Sequence, residues 1–250
     1  MIFTSCATQQ PARDESKACA PYRTQSKKST LSEAEKLYCE ARLAQRQEQE
    51  QQALDLFRKA AKAEHTASQC FVVALESKTK SATVALDALL KRQPNVGACL
   101  MLRAREAVFS GDQEAGILFA KKSTEHAAQD PLTWSTLGFA YFRNQDYIEA
   151  GKAFEKSVSI DGSIAQNIFN IGYAYYLGGE YVQARPWLMR ASAIDSLEEE
   201  LKARAKQSVD IIDGAIWICP MHPEITGKKG DTCASCKMDL EPVSRGVGSD

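Results

Sequence analysis

The chain has 250 residues, 44% of them hydrophobic, which is enough for a real core in one large or two modest domains. Its 31 Lys and Arg offset 32 Asp and Glu to a formal charge of −1, and the longest like-charge block is Glu198-Glu199-Glu200, so recruitment of nucleic acid or an anionic membrane by charge is excluded. No run approaches the roughly 18 apolar residues of a spanning helix, and no transmembrane segment is expected.

Residues 1–30 are rich in Ser, Thr, Gln, Lys and Pro and nearly lack aromatics, a composition that buries too little surface to order itself. A flexible leader is expected there. Its opening, Ile2-Phe3-Thr4-Ser5-Cys6, resembles the end of a bacterial lipoprotein signal, although the basic start and long apolar stretch of such a signal are missing. Two readings follow. Either the true start lies upstream and Cys6 is lipidated, or Cys6 is a chance cysteine of the leader.

From residue 31 onward apolar residues recur at helical spacing. They are Leu37, Ala41, Ala44, Ala53, Phe57 and Ala60 within 34–67, then Cys70, Val73, Ala82, Leu86 and Leu89 within 63–96, then Leu102, Gly111-Asp112, Ala115 and Phe119 between 97 and 130. Cys39, Cys70 and Cys99 fall singly in this pattern and read as small buried hydrophobes. The irregular spacing of the eight cysteines argues against a disulfide framework, and no bridges are expected.

The pattern then sharpens. Trp134, Leu137-Gly138, Tyr141, Tyr147, Ala150, Phe154 and Ser157 are followed, each 34 positions later, by Ile168, Ile171-Gly172, Tyr175, Tyr181, Ala184, Leu188 and Ala191. This resembles the tetratricopeptide repeat, a helix–turn–helix unit, with its clearest copies at 131–164 and 165–198. The small residues belong where two helices cross closely, and Asn144-Gln145-Asp146 and Gly178-Gly179-Glu180 supply the turns between them. Pro131 suits a first helical turn. Because one unit cannot cover its own apolar face, four or five stacked units over 31–196 are expected, an all-α helical solenoid. Leu197, Leu201, Ala205, Val209 and Ile212 then give one apolar stripe, predicting an amphipathic helix over 197–214 that caps the array until Asp213-Gly214 stops it.

The resemblance implies that a protein or peptide partner binds the concave face, lined here by Phe139, Phe142, Phe169, Tyr173 and Tyr176. The alternative is that several of these rings pack against neighbouring helices. Ser135 and Phe139 replace the polar residues with which chaperone-binding members clamp a terminal carboxylate, so that subtype does not fit. Nothing suggests an enzyme: there is no phosphate loop, HExxH helix or GxSxG elbow, and His65 and His126 read as solvated surface residues.

The tail differs from everything before it. Cys219-x2-His222 and Cys233-x2-Cys236 supply four ligands as two pairs, each short enough for one turn to aim both side chains at a single ion. Zn(II) suits such a Cys3His set and would staple a segment too small to fold alone, leaving a net charge of −1 on the site. Met221 and Met238 lie beside these ligands, and their soft thioethers keep Cu(I) and Ag(I) open as alternatives. Pro220, Pro223, Gly227 and Gly230 mark turns and short strands. Residues 217–243 are similar to the small heavy-metal-binding domain of copper- and silver-efflux ATPases and periplasmic efflux adaptors. That family has Cys-Pro-x-Cys-Gly-Met where this chain has Ala234 and Lys237, and a lysine in place of a positive-φ glycine costs about 1 kcal/mol.

The expected organisation is therefore a leader (1–30), a repeat array (31–196), a capping helix (197–214), a metal-stapled β/turn module (215–243) and a short tail (244–250). Two functions fit it: a scaffold or adaptor whose module holds a structural ion, and a metal handler that presents a captured ion to an efflux or assembly component. Lipidation at Cys6 would place the chain in the bacterial periplasm or on a membrane; otherwise it is cytoplasmic.

Overall fold

A computed structural model describes residues 31–47, 49–77, 79–215 and 217–242. The expected leader with Cys6 and the expected tail lie outside the described residues. Eleven helices are described: α1 (Glu33–Arg46), α2 (Glu50–Lys62), α3 (Thr66–Glu76), α4 (Thr79–Arg92), α5 (Gly97–Ser110), α6 (Gln113–His126), α7 (Pro131–Arg143), α8 (Tyr147–Ile160), α9 (Ala165–Leu177), α10 (Tyr181–Ser192) and α11 (Glu199–Ala215). Three short strands follow them: β1 (Trp217–Cys219), β2 (His222–Gly227) and β3 (Glu241–Pro242). The order of elements is that of a TPR-like helical solenoid with a small β/turn module at its C-terminal end. The chain divides into two units, residues 1–99 and 100–250.

In the first unit α1 opens with a capping box, in which Ser32 Oγ accepts from the Glu35 amide at 3.2 Å and Glu35 Oε2 accepts from the Ser32 amide at 2.8 Å. Its core is aromatic. Phe57 of α2 and Phe71 of α3 stack with centroids 4.5 Å apart and planes 2° from parallel. Arg42, only 1% exposed, lies over the Phe71 ring at 4.9 Å and donates to Tyr38 Oη at 2.8 Å, which satisfies part of its charge inside the core.

Two expectations fail in this unit. Cys70 and Cys99 are buried as expected but form a disulfide, with Cα atoms 5.3 Å apart. Cys39 is disulfide-bonded too. The spacing argument missed the Cys70–Cys99 bridge because a solenoid brings helices of successive units side by side, so cysteines far apart in sequence meet without any framework motif. His65 is not a solvated surface residue either: its Nδ1 caps α3 by accepting from the Ser68 amide at 3.3 Å, and burial pushes its pKa down.

In the second unit the repeat chemistry is explicit. The turn between paired helices places Gly111 (φ 90°), Gln145 (φ 67°) and Gly179 (φ 81°) at the same step of three successive units. Each is followed by an amide that reaches back across the helix end: Asp112 N to Ala107 O at 2.9 Å, Asp146 N to Tyr141 O at 3.0 Å and Glu180 N to Tyr175 O at 2.9 Å. Close crossings are equally explicit. A Cβ on Gly138 would lie 2.8 Å from the Phe154 ring, and one on Gly172 would lie 2.9 Å from the Leu188 backbone nitrogen. Gly116 and Gly151 do the same work against Val108 and Tyr175.

Pro131 sits in the first turn of α7, capped by Asp130, whose carboxylate accepts from the Leu132 amide at 3.0 Å. A buried polar network crosses α7, α8 and α9: Asn167 Nδ2 donates to Ser135 Oγ at 2.6 Å and to Ser157 Oγ at 2.9 Å, and Ser157 Oγ donates to Pro131 O at 2.7 Å. Ser135 is thus engaged within the array. The capping helix α11 runs through Gly214 to Ala215 rather than stopping at Asp213-Gly214. Arg185 of α10 grips Asp213 with two bonds, at 2.6 and 3.0 Å, which holds that last turn in place.

Candidate metal centre and aromatic face

The module is a three-stranded antiparallel sheet in the order β2-β1-β3. Strand β1 alternates as a strand must. Trp217 and Cys219 face the module's own small core with Cys233 and Leu240, whereas Ile218 points the other way into the core of α9, α10 and α11. A bulge between Ile218 and Cys219 tightens the β1–β2 connection so that Cys219 pairs with His222. The second ligand pair sits on a turn closed by Cys233 N to Met238 O at 2.8 Å and Lys237 N to Cys233 O at 2.9 Å, with a Thr232–Asp239 bridge at its base.

These two turns bring the four ligands together. Cys219 Sγ is 3.4 Å from Cys236 Sγ and 3.7 Å from His222 Nδ1, and Cys233 Sγ is 3.6 Å from the same Nδ1. All four ligand atoms lie within 4.8 Å of one another. Around a tetrahedral ion with bonds of about 2.3 Å to sulfur and 2.0–2.1 Å to nitrogen, sulfurs stand about 3.8 Å apart and sulfur and nitrogen about 3.6 Å. The donor set therefore fits one four-coordinate ion, with the imidazole presenting Nδ1.

Backbone amides prepare the thiols for this role. The N–H groups of Cys236 and Ser235 point at the Cys233 sulfur and pull its pKa down to about 6, favouring the thiolate an ion requires. Burial pushes the Cys219 thiol up, as does its hydrogen bond with Cys236, while the Met221 and His222 amides oppose the rise. Lys237 takes φ 64°, the left-handed conformation that glycine adopts freely. Lys237→Gly is expected to stabilise the loaded module by up to about 1 kcal/mol, read as slower loss of ion to a competing chelator; faster loss would contradict the strain.

The methionines are placed differently from core filler. Met221 is 68% exposed and Met238 is 45% exposed, so neither packs the module's interior.

Of the rings expected on the concave face, four form a half-buried surface. Phe142 lies 6.2 Å from Tyr173, Tyr173 lies 6.1 Å from Tyr176, and both pairs are stacked. Phe139 is met by Phe109 of α5 at 5.6 Å. Phe169 is the exception: at 3% exposure it belongs to the core and supports Tyr173 from beneath at 5.3 Å. The repeat pattern gave no sign of Phe109, which is 62% exposed. It occupies the step held by Arg143 and Leu177 in the later units, where the repeat motif asks for no particular residue, so only its exposure marks it.

The family model described as "Heavy metal binding domain" matches residues 216–243. No curated protein matches the chain. Among solved structures it is similar to a chain of the APC/C hetero-tetramer Cut9-Hcn1, with 18% identity and a TM-score of 0.55 over 69% of this chain and 36% of that one. It also resembles YrrB, a TPR protein with an unusual peptide-binding site (17% identity, TM-score 0.49, 70% of this chain and 92% of that one). A third neighbour is MamA 41-end from Desulfovibrio magneticus RS-1 (16% identity, TM-score 0.45, 65% and 95%). The likeness to Cut9-Hcn1 bears on fold and agrees with the repeat geometry. The fold is that of a TPR-like solenoid, and its C-terminal segment both matches the heavy-metal-binding-domain model and brings a Cys/His cluster together.

Proposed function

We propose that the protein is a scaffold or adaptor that binds a protein segment on the aromatic face of α7 and α9 while its C-terminal module holds one structural ion, Zn(II) by preference. The observation that carries this reading is the stack Phe142–Tyr173–Tyr176, half-open rings on adjacent first helices of two units, which suits the apolar side of a peptide or helix. The closed Cys3His tetrad, with Cys219 and Cys233 buried and His222 and Cys236 partly so, supports a structural role for the ion.

Changing Tyr173 and Tyr176 together to alanine tests the face. Each ring loses its stacking partners but none of the small crossing residues is touched, so the helices persist. Partner recovery in a pull-down should fall at least tenfold, the scale on which buried aromatic anchors act; unchanged recovery by a folded double variant sinks the reading.

A second reading has its own support. The exposed thioethers of Met221 and Met238 flank the tetrad where an incoming soft ion would meet them first, which favours capture and delivery of Cu(I) or Ag(I) to an efflux or assembly component. Ready exchange of the ion under mild chelation, with tighter retention of Cu(I) than of Zn(II), would select it.

The Cys70–Cys99 disulfide supports an oxidising compartment such as the bacterial periplasm. Among the described residues no helix is long and apolar enough to cross a membrane. An anchor, on this reading, would be a lipid at Cys6.

A further inference from the structure

The proposed ion site and the proposed binding face both adjoin α11. Near its C-terminal end α11 presents Ile212 to the array core, and Ile218 of β1 enters that same core, fully buried, next in sequence to the ligand Cys219. Two turns earlier in α11, about 12 Å back along its axis, the Arg204 guanidinium lies over the Tyr173 ring, 5.8 Å from its centroid. Tyr173 is the ring that stacks on both Phe142 and Tyr176.

We infer that ion occupancy in the module and the stability of the aromatic face are coupled through α11, so that the loaded protein holds its binding face in place and the ion-free protein loosens it. Without an ion the module has only a three-residue buried core, and its strands lose the geometry that the four ligands impose. Strand β1 then no longer drives Ile218 into the array, which leaves an apolar hole against α11. In a stacked array each element is stabilised mainly by its neighbours, so a loosened cap weakens α9 and α10 first and distant units least. By linkage the effect runs both ways: a ligand that orders the face also raises affinity for the ion.

Hydrogen exchange tests this on the full chain, comparing the zinc-loaded protein with the same sample after chelation. Chelation should speed exchange in α9, α10 and α11 roughly tenfold, within the 5–150-fold span usual for coupled sites, with no change in α1–α4. Exchange that changes only within residues 217–242 overturns the inference.

Ile218→Ala sharpens the test because it leaves every ligand in place. The variant should still retain one zinc by native mass spectrometry, yet show fast exchange in α9–α11 whether loaded or chelated. Ile218→Val, which keeps most of the buried volume, should restore ion dependence if the alanine variant proves too unstable to read. A zinc-retaining Ile218→Ala protein that still slows exchange in α9–α11 on loading also overturns the inference. The inference concerns the same face as the scaffold reading, but the readouts separate: partner recovery can fail in the Tyr173 and Tyr176 variant while exchange in α11 still follows the ion.

Discussion

Replacing Cys233 by serine is expected to abolish ion retention and to unfold residues 217–242 while α1–α4 remain as they were. Among the described residues the module's own core holds, beyond the candidate ligands, Leu240 fully and Trp217 and Ile225 in part, with Ile218 buried against the array instead, and such a core contributes a few kcal/mol at most. A structural zinc in a peptide of this size contributes about 10–16 kcal/mol near neutral pH. On the proposed reading, a bound ion would therefore stabilise the module far more than its apolar core does. Cys233 is the ligand best prepared to bind it, since two backbone amides favour its thiolate, and a serine hydroxyl cannot supply that charge. Amide exchange should rise across the module to rates near those of an unfolded chain, together with loss of the bound ion. Retained protection in β1 and β2 without metal would mean that the sheet stands unaided.

Gly172→Ala is expected to be more damaging than the same change at Gly138. Alanine is ordinarily the better helix former by about 1 kcal/mol, so the substitution would stabilise an isolated α9. In the fold its Cβ would meet the Leu188 backbone nitrogen at 2.9 Å and Leu188 Cγ at 2.8 Å. A backbone atom cannot turn aside, so α9 and α10 must separate, and overpacking of this kind costs typically 1–3 kcal/mol. The same change at Gly138 meets only side-chain atoms, those of the Phe154 ring at 2.8–2.9 Å, and a side chain gives way more readily than a backbone atom. Denaturant unfolding should therefore rank Gly172→Ala below Gly138→Ala, with the wild type above both. For a chain of this length each kcal/mol lowers Tm by about 2–4 °C. Equal or neutral effects would contradict the close crossing at Gly172.

Much of this fold was legible because the repeat motif is itself a record of contacts. Gly138, Gly172, Ala150 and Ala184 are small since helices cross there, and Gly179 is glycine at a turn whose φ of 81° disfavours side chains. The clustering of Cys219, His222, Cys233 and Cys236 was legible for a similar reason: a two-residue gap is a local geometric statement, and two such gaps bring four side chains to one place.

What escaped the sequence was set by tertiary neighbours. The Cys70–Cys99 bridge joins α3 to the start of α5 across an intervening helix, and no local pattern announces it. Phe169 and Tyr173 are aromatic residues one helical turn apart on α9, yet one is enclosed and the other half-open, a difference made by what packs above them. The seating of Ile218 in the array core was hidden likewise. Strand alternation predicts that it faces away from Cys219, but only the position of α11 gives that direction a partner.

Whether one ion organises the C-terminal module of this repeat array is decided by native mass spectrometry of the intact protein, before and after chelation and with Cu(I) competition. A single bound ion is expected, with Cys219, Cys233 and Cys236 shielded from alkylation until that ion is removed, and with the Cys70–Cys99 bridge present throughout. A protein that retains no ion and whose three thiols alkylate freely from the outset would contradict the metal-stapled module.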